Sequence, residues 1–356
     1  MIRVFVVDDS PFIRKALSRI LALRPEFLLV GAAGSGTEAL ERIPVAKPHV
    51  VTLDVEMPGL DGIGTLKELV RRHPGLPVIM LSAFTREGAN TTLDAMSMGA
   101  VDFIDKSGLN VMDFERLSRE LLRKIEVCRT GRRQFSWDRP SRLPSGMLAR
   151  PHSPHSPRAR SLPRINWSAY DLCVIGASTG GPAALQAIIE SIPARFPVPV
   201  AAVQHMPVGF TKPFADRLNA LANIRVREAR DQDLLEPGLM LVARAGAHLF
   251  IEPDLKTMVT LDPLDANHTP SVDVLMTSAA RACGPRVVGI LLTGMGDDGA
   301  EGMWTIQRGG GLTVAESEET CVVFGMPRAA HQRGGVSHLL PLHDICGLFG
   351  PGSDRR

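Results

Sequence analysis

The chain has 356 residues, a length that at roughly 150 residues per domain predicts two or three domains. Hydrophobic residues make up 44% and charged residues 22%, with 33 Gly and 27 Pro, which is the balance of a globular α/β protein and excludes a disordered or collagen-like chain. Lys plus Arg number 40 against 38 Asp plus Glu, so the chain as a whole lacks the positive field of a nucleic-acid-binding protein. No stretch approaches the roughly eighteen uninterrupted apolar residues of a membrane span, and the opening MIRVFVVDDS runs from apolar residues into acid, unlike a signal peptide. A cytoplasmic protein that is not an integral membrane protein is expected. The five cysteines, Cys128, Cys173, Cys283, Cys321 and Cys346, are scattered without metal-ligand spacing and predict buried free thiols.

From Met1 to about Ile125, short β-branched runs alternate with amphipathic stretches. The runs are Val4 to Val7, Leu28 to Val30, Val50 to Leu53, Val78 to Leu81 and Val101 to Ile104. Ser10 followed by Pro11 reads as a helix N-cap and a first-turn proline. Nearly wholly apolar strands alternating with helices predict a parallel sheet covered on both faces. Composition then changes: residues 126–168 are rich in Arg and Pro and poor in apolar groups, which predicts an extended connector. A second α/β pattern follows over residues 169–350, with runs at Leu172 to Ile175, Val200 to Val203, Met240 to Ala243 and Val287 to Leu292. Helices are predicted at Ala183 to Glu190 and Pro213 to Ala222, and a β-hairpin insertion between Ile224 and Leu261.

Reactive side chains stand where the first-half strands end: Asp8 and Asp9 after Val7, Asp54 after Leu53, Ser82 after Leu81, and Lys106 soon after Ile104. In a parallel sheet these ends share one edge, where ligands of open α/β sheets bind. Three crowded carboxylates repel, and a divalent cation with oxygen ligands relieves this. Mg²⁺ with a nearby ammonium is a phosphoryl-accepting arrangement in which Asp54 attacks as nucleophile. Taken singly, Asp9 and Ser10 could merely cap a helix; their joint placement argues for a site.

From VVDDS through LDVEMPGLDG and LSA to FIDK, the first 125 or so residues resemble the receiver domain of bacterial two-component response regulators. The resemblance implies a flavodoxin-like (βα)5 fold, Mg²⁺ as cofactor and a histidine kinase as phosphodonor. It implies Asp54 as the aspartyl-phosphate site and Asp8 and Asp9 as metal-binding acids. Glu56 would be a ligand through its carbonyl, Ser82 and Lys106 phosphate contacts, and Phe103 a switch aromatic. Ser107 departs from the proline usual after that lysine.

In the second half, VIGASTGGP sets Gly176, Ser178 and Gly180 in GxSxG spacing between an apolar strand and a helix begun by proline. A serine there projects from a tight turn, and the helix N-terminus supplies amide donors for an oxyanion. GxSxG alone is a weak signal, but His205 follows the next strand run and Asp297 and Asp298 follow Val287 to Leu292. Hydroxyl, imidazole and carboxylate are therefore predicted to meet at one sheet edge, in the chain order Ser, His, Asp.

VIGASTGGP, QHMPVGFT, PSVDVL, LLTGMGDDG and CVVFGMP resemble the catalytic domain of chemotaxis protein-glutamate methylesterases over residues 170–350. The resemblance implies a doubly wound parallel domain with Ser178 as nucleophile, His205 as base and Asp298 as the orienting acid. Thr179 and the Met295 backbone would lie around the oxyanion. The ARAGAHL segment departs from that family's version of its loop. The expectation is a phosphorylation-activated serine esterase acting on glutamate γ-methyl esters of chemoreceptor helices, with no cofactor for the ester chemistry. Deamidation of receptor glutamine by the same acyl route is also implied. The alternative from another class is a response regulator whose second half is a non-catalytic binding module.

Overall fold

The computed structural model describes residues 1–82, 86–106, 114–130, 165–261 and 266–350. The first domain runs β1 (Ile2–Val7), α1 (Pro11–Ala22), β2 (Phe27–Ala33), α2 (Gly36–Ala46), β3 (Val50–Asp54), α3 (Gly62–Arg72), β4 (Val78–Ser82), α4 (Arg86–Ser97), β5 (Asp102–Asp105) and α5 (Phe114–Thr130). Its strands pair in parallel in the order β2-β1-β3-β4-β5, the flavodoxin-like order. Val4, Val6, Val50, Ile79 and Leu81 are buried on a core that includes Leu117, Leu121 and Ile125 of α5. As the sequence predicts, Ser10 caps α1 by accepting from the Ile13 amide at 3.5 Å, with Pro11 at the first helical position.

The second domain comprises β6 (Leu172–Ala177), α6 (Gly181–Ser191), β7 (Val200–Gln204), α7 (Thr211–Leu221), β8 (Arg225–Glu228), β9 (Leu239–Val242), β10 (His248–Ile251), β11 (Thr257–Thr260) and α8 (Val272–Cys283). It continues through β12 (Val287–Leu291), α9 (Ala300–Arg308), β13 (Leu312–Glu316), α10 (Met326–Gln332), β14 (His338–Leu340) and α11 (Leu342–Gly347). Seven strands form a parallel sheet in the order β14-β13-β12-β6-β7-β9-β8. Strand order reverses at β6, which lies between β7 and β12, so the loops after these three strands converge on the crevice that such switch points create. The predicted hairpin is β10 with β11, antiparallel. β9 joins the main sheet, as the run Met240 to Ala243 predicts, and β8 pairs with it in parallel; β13 and β14 add two strands that the sequence reading did not assign.

The segment read as a connector is structured at both described ends. α5 continues to Thr130, because Ile125 and Val127 keep facing the domain interior. Trp167 is buried, donating from Nε1 to the Leu348 carbonyl at 2.8 Å and stacking on Phe349. Residues 131–164 and Ser107 lie outside the described residues. Of the cysteines, all free, Cys173, Cys283 and Cys321 are buried as expected, whereas Cys128 and Cys346 are only partly so. Among the described residues no helix is long and apolar enough to cross a membrane.

The domains meet through α4, β5 and α5 of the first and α6 and α7 of the second. The Phe103 ring lies 4.7 Å from that of Phe210, within one apolar cluster shared by both domains. Around it Arg217 pairs with Asp94 and donates to Ser97 Oγ at 2.9 Å, and Ser97 Oγ donates to Gln186 at 3.0 Å.

Candidate active site

The GxSxG segment turns sharply from β6 into α6. Gly180 takes φ +79°, and a Cβ there would press on Val322 at 2.6 Å, so this turn favours glycine. The Ser178 amide donates to the Thr293 carbonyl at 3.1 Å, and the Ser178 carbonyl accepts from Gly181 N at 2.8 Å. Gln204, buried at the end of β7, donates from Nε2 to the carbonyls of Ser178 at 2.9 Å and His205 at 3.1 Å. One amide thus ties the backbones of both residues together.

His205 Nε2 lies 2.8 Å from Asp298 Oδ2. Asp298 also accepts from Ser271 Oγ at 2.8 Å, Val272 N at 2.8 Å and Asp273 N at 3.0 Å, so its carboxylate sits on the N-terminus of α8, the positive end of the helix. Burial would raise the Asp298 carboxyl. The His205 bond and charge and the amides of Asp273 and Val272 outweigh it and hold the group well below the usual carboxylate range. His205 Nδ1 is buried without a hydrogen-bond partner. The geometry gives a charged carboxylate on one ring nitrogen and leaves the other for proton transfer.

Ser178, Thr179, His205 and Met295 line one cleft of about 550 Å³. Its other wall comes from the first domain: Asp102, Arg119, Glu120, Arg123 and Lys124. Asp102 Oδ2 accepts from Thr179 Oγ1 at 2.5 Å, and its Oδ1 accepts from Lys124 Nζ at 3.0 Å and from Phe103 N at 2.7 Å. A first-domain carboxylate therefore holds the hydroxyl next to Ser178.

At the sheet edge of the first domain, oxygens of Asp8, Asp9 and Asp54 lie within 4.8 Å of one another. Lys106 Nζ is 2.5 Å from Asp54 Oδ1 and 3.7 Å from Asp8 Oδ2. Burial, then the Asp54 charge, push the Asp8 carboxyl up to about 6 against the pull of Lys106. Asp54 is likewise raised by burial, opposed by Lys106. Asp8 Oδ2 and Asp54 Oδ2 are buried without hydrogen-bond partners, as expected of oxygens that a hard cation would take up. Glu56 donates its amide to Asp54 Oδ1 at 3.4 Å. Buried Ser82 accepts from Thr92 Oγ1 at 2.8 Å, on the side of α4.

A family model described as CheB methylesterase matches residues 173–348, and one described as response regulator receiver domain matches residues 4–114. The protein-glutamate methylesterase/protein-glutamine glutaminase 1 of Carboxydothermus hydrogenoformans is 45% identical over 348 residues, covering 96% of each chain. The chain belongs to the CheB methylesterase family. A relative from Archaeoglobus fulgidus with the same enzyme name, without the numeral, is 41% identical, covering 96% of this chain and 95% of its own. The solved CheB methylesterase catalytic domain of Thermotoga maritima is 37% identical, covering 51% of this chain and 97% of its own, with a TM-score of 0.49.

In this CheB-family chain the sequence-predicted residues fall at two sites, with one more between the domains. Ser178, Thr179, His205, Met295 and Asp298 gather at the second sheet, and Asp8, Asp9, Asp54 and Lys106 at the first. Glu56 and Ser82 flank the latter, while Phe103 lies at the domain interface. The sequence reading missed Asp102, Gln204 and Ser271. It also missed His268, whose ring stands edge-on to that of His205 at 4.2 Å. Burial, then the adjacent His205, depress His268 to about 4, so it is neutral at pH 7. QHMPVGFT and PSVDVL contain Gln204 and Ser271 and were the available signal for those two.

Proposed function

We propose that the chain is a phosphorylation-gated serine esterase that hydrolyses γ-methyl esters of glutamate on chemoreceptor helices. The observation that carries this reading is the His205–Asp298 pair, held on the α8 N-terminus in the same cleft as Ser178. His205 Nδ1 takes the Ser178 hydroxyl proton as Oγ attacks the ester carbonyl. Because the Ser178 amide is already spent on Thr293, the oxyanion donors of this reading are Thr179 and the Met295 backbone. The imidazolium returns its proton to the departing methoxy group, releasing methanol. Water, deprotonated by His205, then cleaves the acyl-enzyme to leave glutamate. With a glutamine side chain the same path expels ammonia.

The receiver supplies the gate. Mg²⁺ bound by Asp8, Asp9 and Asp54 would neutralise phosphoryl oxygens while Asp54, paired with Lys106, accepts the phosphoryl group from a histidine kinase. In the resting state Asp102 engages Thr179 and narrows the cleft; phosphorylation weakens that contact. The test is methanol release from methylated receptor membranes with and without a phosphodonor, against Ser178→Ala. Release that needs Ser178 and rises with phosphodonor is expected. Release undiminished in Ser178→Ala overturns the assignment, and cleavage of soluble esters without receptor cleavage turns it to a small-ester hydrolase.

A further inference from the structure

The segment PSVDVL does more than open a helix. Ser271 is the N-cap of α8, accepting from Val274 N at 3.3 Å, and its hydroxyl proton goes to Asp298 Oδ1 at 2.8 Å. Two residues on, Asp273 Oδ1 accepts from Gly302 N at 2.7 Å, in the first turn of α9. Asp298 stands just before α9 and accepts the first amides of α8. Each helix therefore has its N-terminal amides bound by an aspartate belonging to the other, and both aspartates are largely removed from water. Gly302 lies where the helices touch; a Cβ there would meet Met276 Cβ at 2.4 Å.

We propose that Ser271 and Asp273 are positioning residues for the esterase reaction, locking α8 and α9 head to head so that Asp298 meets His205 at a fixed distance and with its charge partly neutralised. This rests on the esterase reading of Ser178, His205 and Asp298. Neither residue lines the cleft, so each acts through Asp298. Ser271 draws charge from the carboxylate through its hydroxyl; Asp273 holds the turn from which Asp298 projects. Without the Ser271 proton, Asp298 keeps more negative charge toward His205, which favours the imidazolium, so that at a given pH less of the ring is free to accept the Ser178 proton and the imidazolium returns its proton to the leaving group less readily. The neighbouring His268 is neutral at pH 7; Arg119, Glu120, Arg123 and Lys124 of α5 line the same cleft, and Asp298 is the charged group bonded to the ring, at 2.8 Å.

The test compares Ser271→Gly, Ser271→Thr and Asp273→Ala in the full chain. Glycine is nearly as good an N-cap as serine, so Ser271→Gly removes the donor to Asp298 with little effect on the helix. Its kcat is expected to fall about tenfold or more, as for loss of a hydrogen bond to a charged group, with KM nearly unchanged. The acid limb of its pH–rate profile moves to higher pH, and Ser271→Thr restores both. Asp273→Ala lowers kcat in the same way. NMR titration of the His205 ring, in a Ser178→Ala background that needs no turnover, should show the ring titrating at higher pH once Ser271 is glycine. An unmoved acid limb and an unmoved ring titration overturn the proposal, even where kcat falls with thermal stability. Full activity in Ser178→Ala with a shifted ring titration would instead overturn the esterase reading and leave the clamp standing.

Discussion

The contact between Asp102 and Thr179 sets a magnitude for gating. A hydrogen bond to a charged group contributes about 1.5–3 kcal/mol, so removing it raises the ratio of open to closed enzyme by about ten- to hundredfold. Of the other polar contacts of the interface, the ion pair of Arg217 with Asp94 has side chains 29% and 47% exposed and is worth less than about 1 kcal/mol. Asp102→Ala is therefore expected to raise methanol release by unphosphorylated enzyme at least about tenfold, up to the phosphorylated rate. The phosphodonor response shrinks in proportion. Asp102→Asn, which keeps a neutral acceptor for Thr179, falls between parent and alanine variant. Lys124 retains Glu120 at 3.0 Å in every case, so the substitution does not strand a cation. The effect should persist in an Asp54→Asn background, because the latch lies downstream of phosphorylation. A basal rate unchanged in Asp102→Ala, or an equal rise in Asp94→Ala, would refute the reasoning.

Asp54→Asn alone should abolish the response to phosphodonor while leaving the basal rate near that of the parent, as measured by methanol release. Asp273 offers a pH test of stability. Burial, opposed by the Gly302 amide, raises its carboxyl from 3.8 to about 6. A raised carboxyl pKa keeps a proton on the fold that the unfolded chain has lost, so this group makes stability fall as pH climbs from about 4 to about 6, with the full cost present above that. Asp273→Asn should accordingly gain on the parent by on the order of 2–3 kcal/mol between pH 4 and pH 7. Denaturant unfolding at the two pH values checks it, and a difference that does not change with pH would contradict the assignment of that cost to Asp273.

Both sites were legible because parallel sheets deliver their reactive residues at strand ends, and strand ends are visible in sequence as the place where an apolar run stops. Val7 before Asp8 and Asp9, Leu53 before Asp54, and Leu292 before TGMGDDG all carry this mark. Asp102 carries no such mark. It begins a strand, where an acid reads as an ordinary polar flank, and its partner Thr179 is 77 positions away in another domain. His268 and Ser271 likewise precede a helix instead of ending a strand, so periodicity places them in a loop and says nothing about the imidazole they approach. β13 and β14 escaped because three glycines, Gly309 to Gly311, precede one and the other has only three residues. Their pairing partners, not their composition, make them strands.

The first domain also places its acidic end, the phosphate acceptor of the proposed function, and its interface end on the same two elements. β5 is four residues long, with Asp102 at its start and Lys106 just past its finish, a span of about 13 Å at the rise of a strand. Lys106 holds Asp54 while Asp102 holds Thr179; on the proposed gating, movement of the lysine toward a phosphoryl group would pull on the strand that carries both Asp102 and Phe103. α4 is coupled from the same spot. Ser82 accepts from Thr92 Oγ1, and further along α4 Asp94 and Ser97 contact Arg217. On the proposed gating, a Ser82 hydroxyl drawn to the phosphoryl group abandons Thr92, which frees α4 to shift against Arg217. The closed state then loses contacts at β5 and α4 together, which supplies the differential interaction between two states that a phosphorylation switch requires.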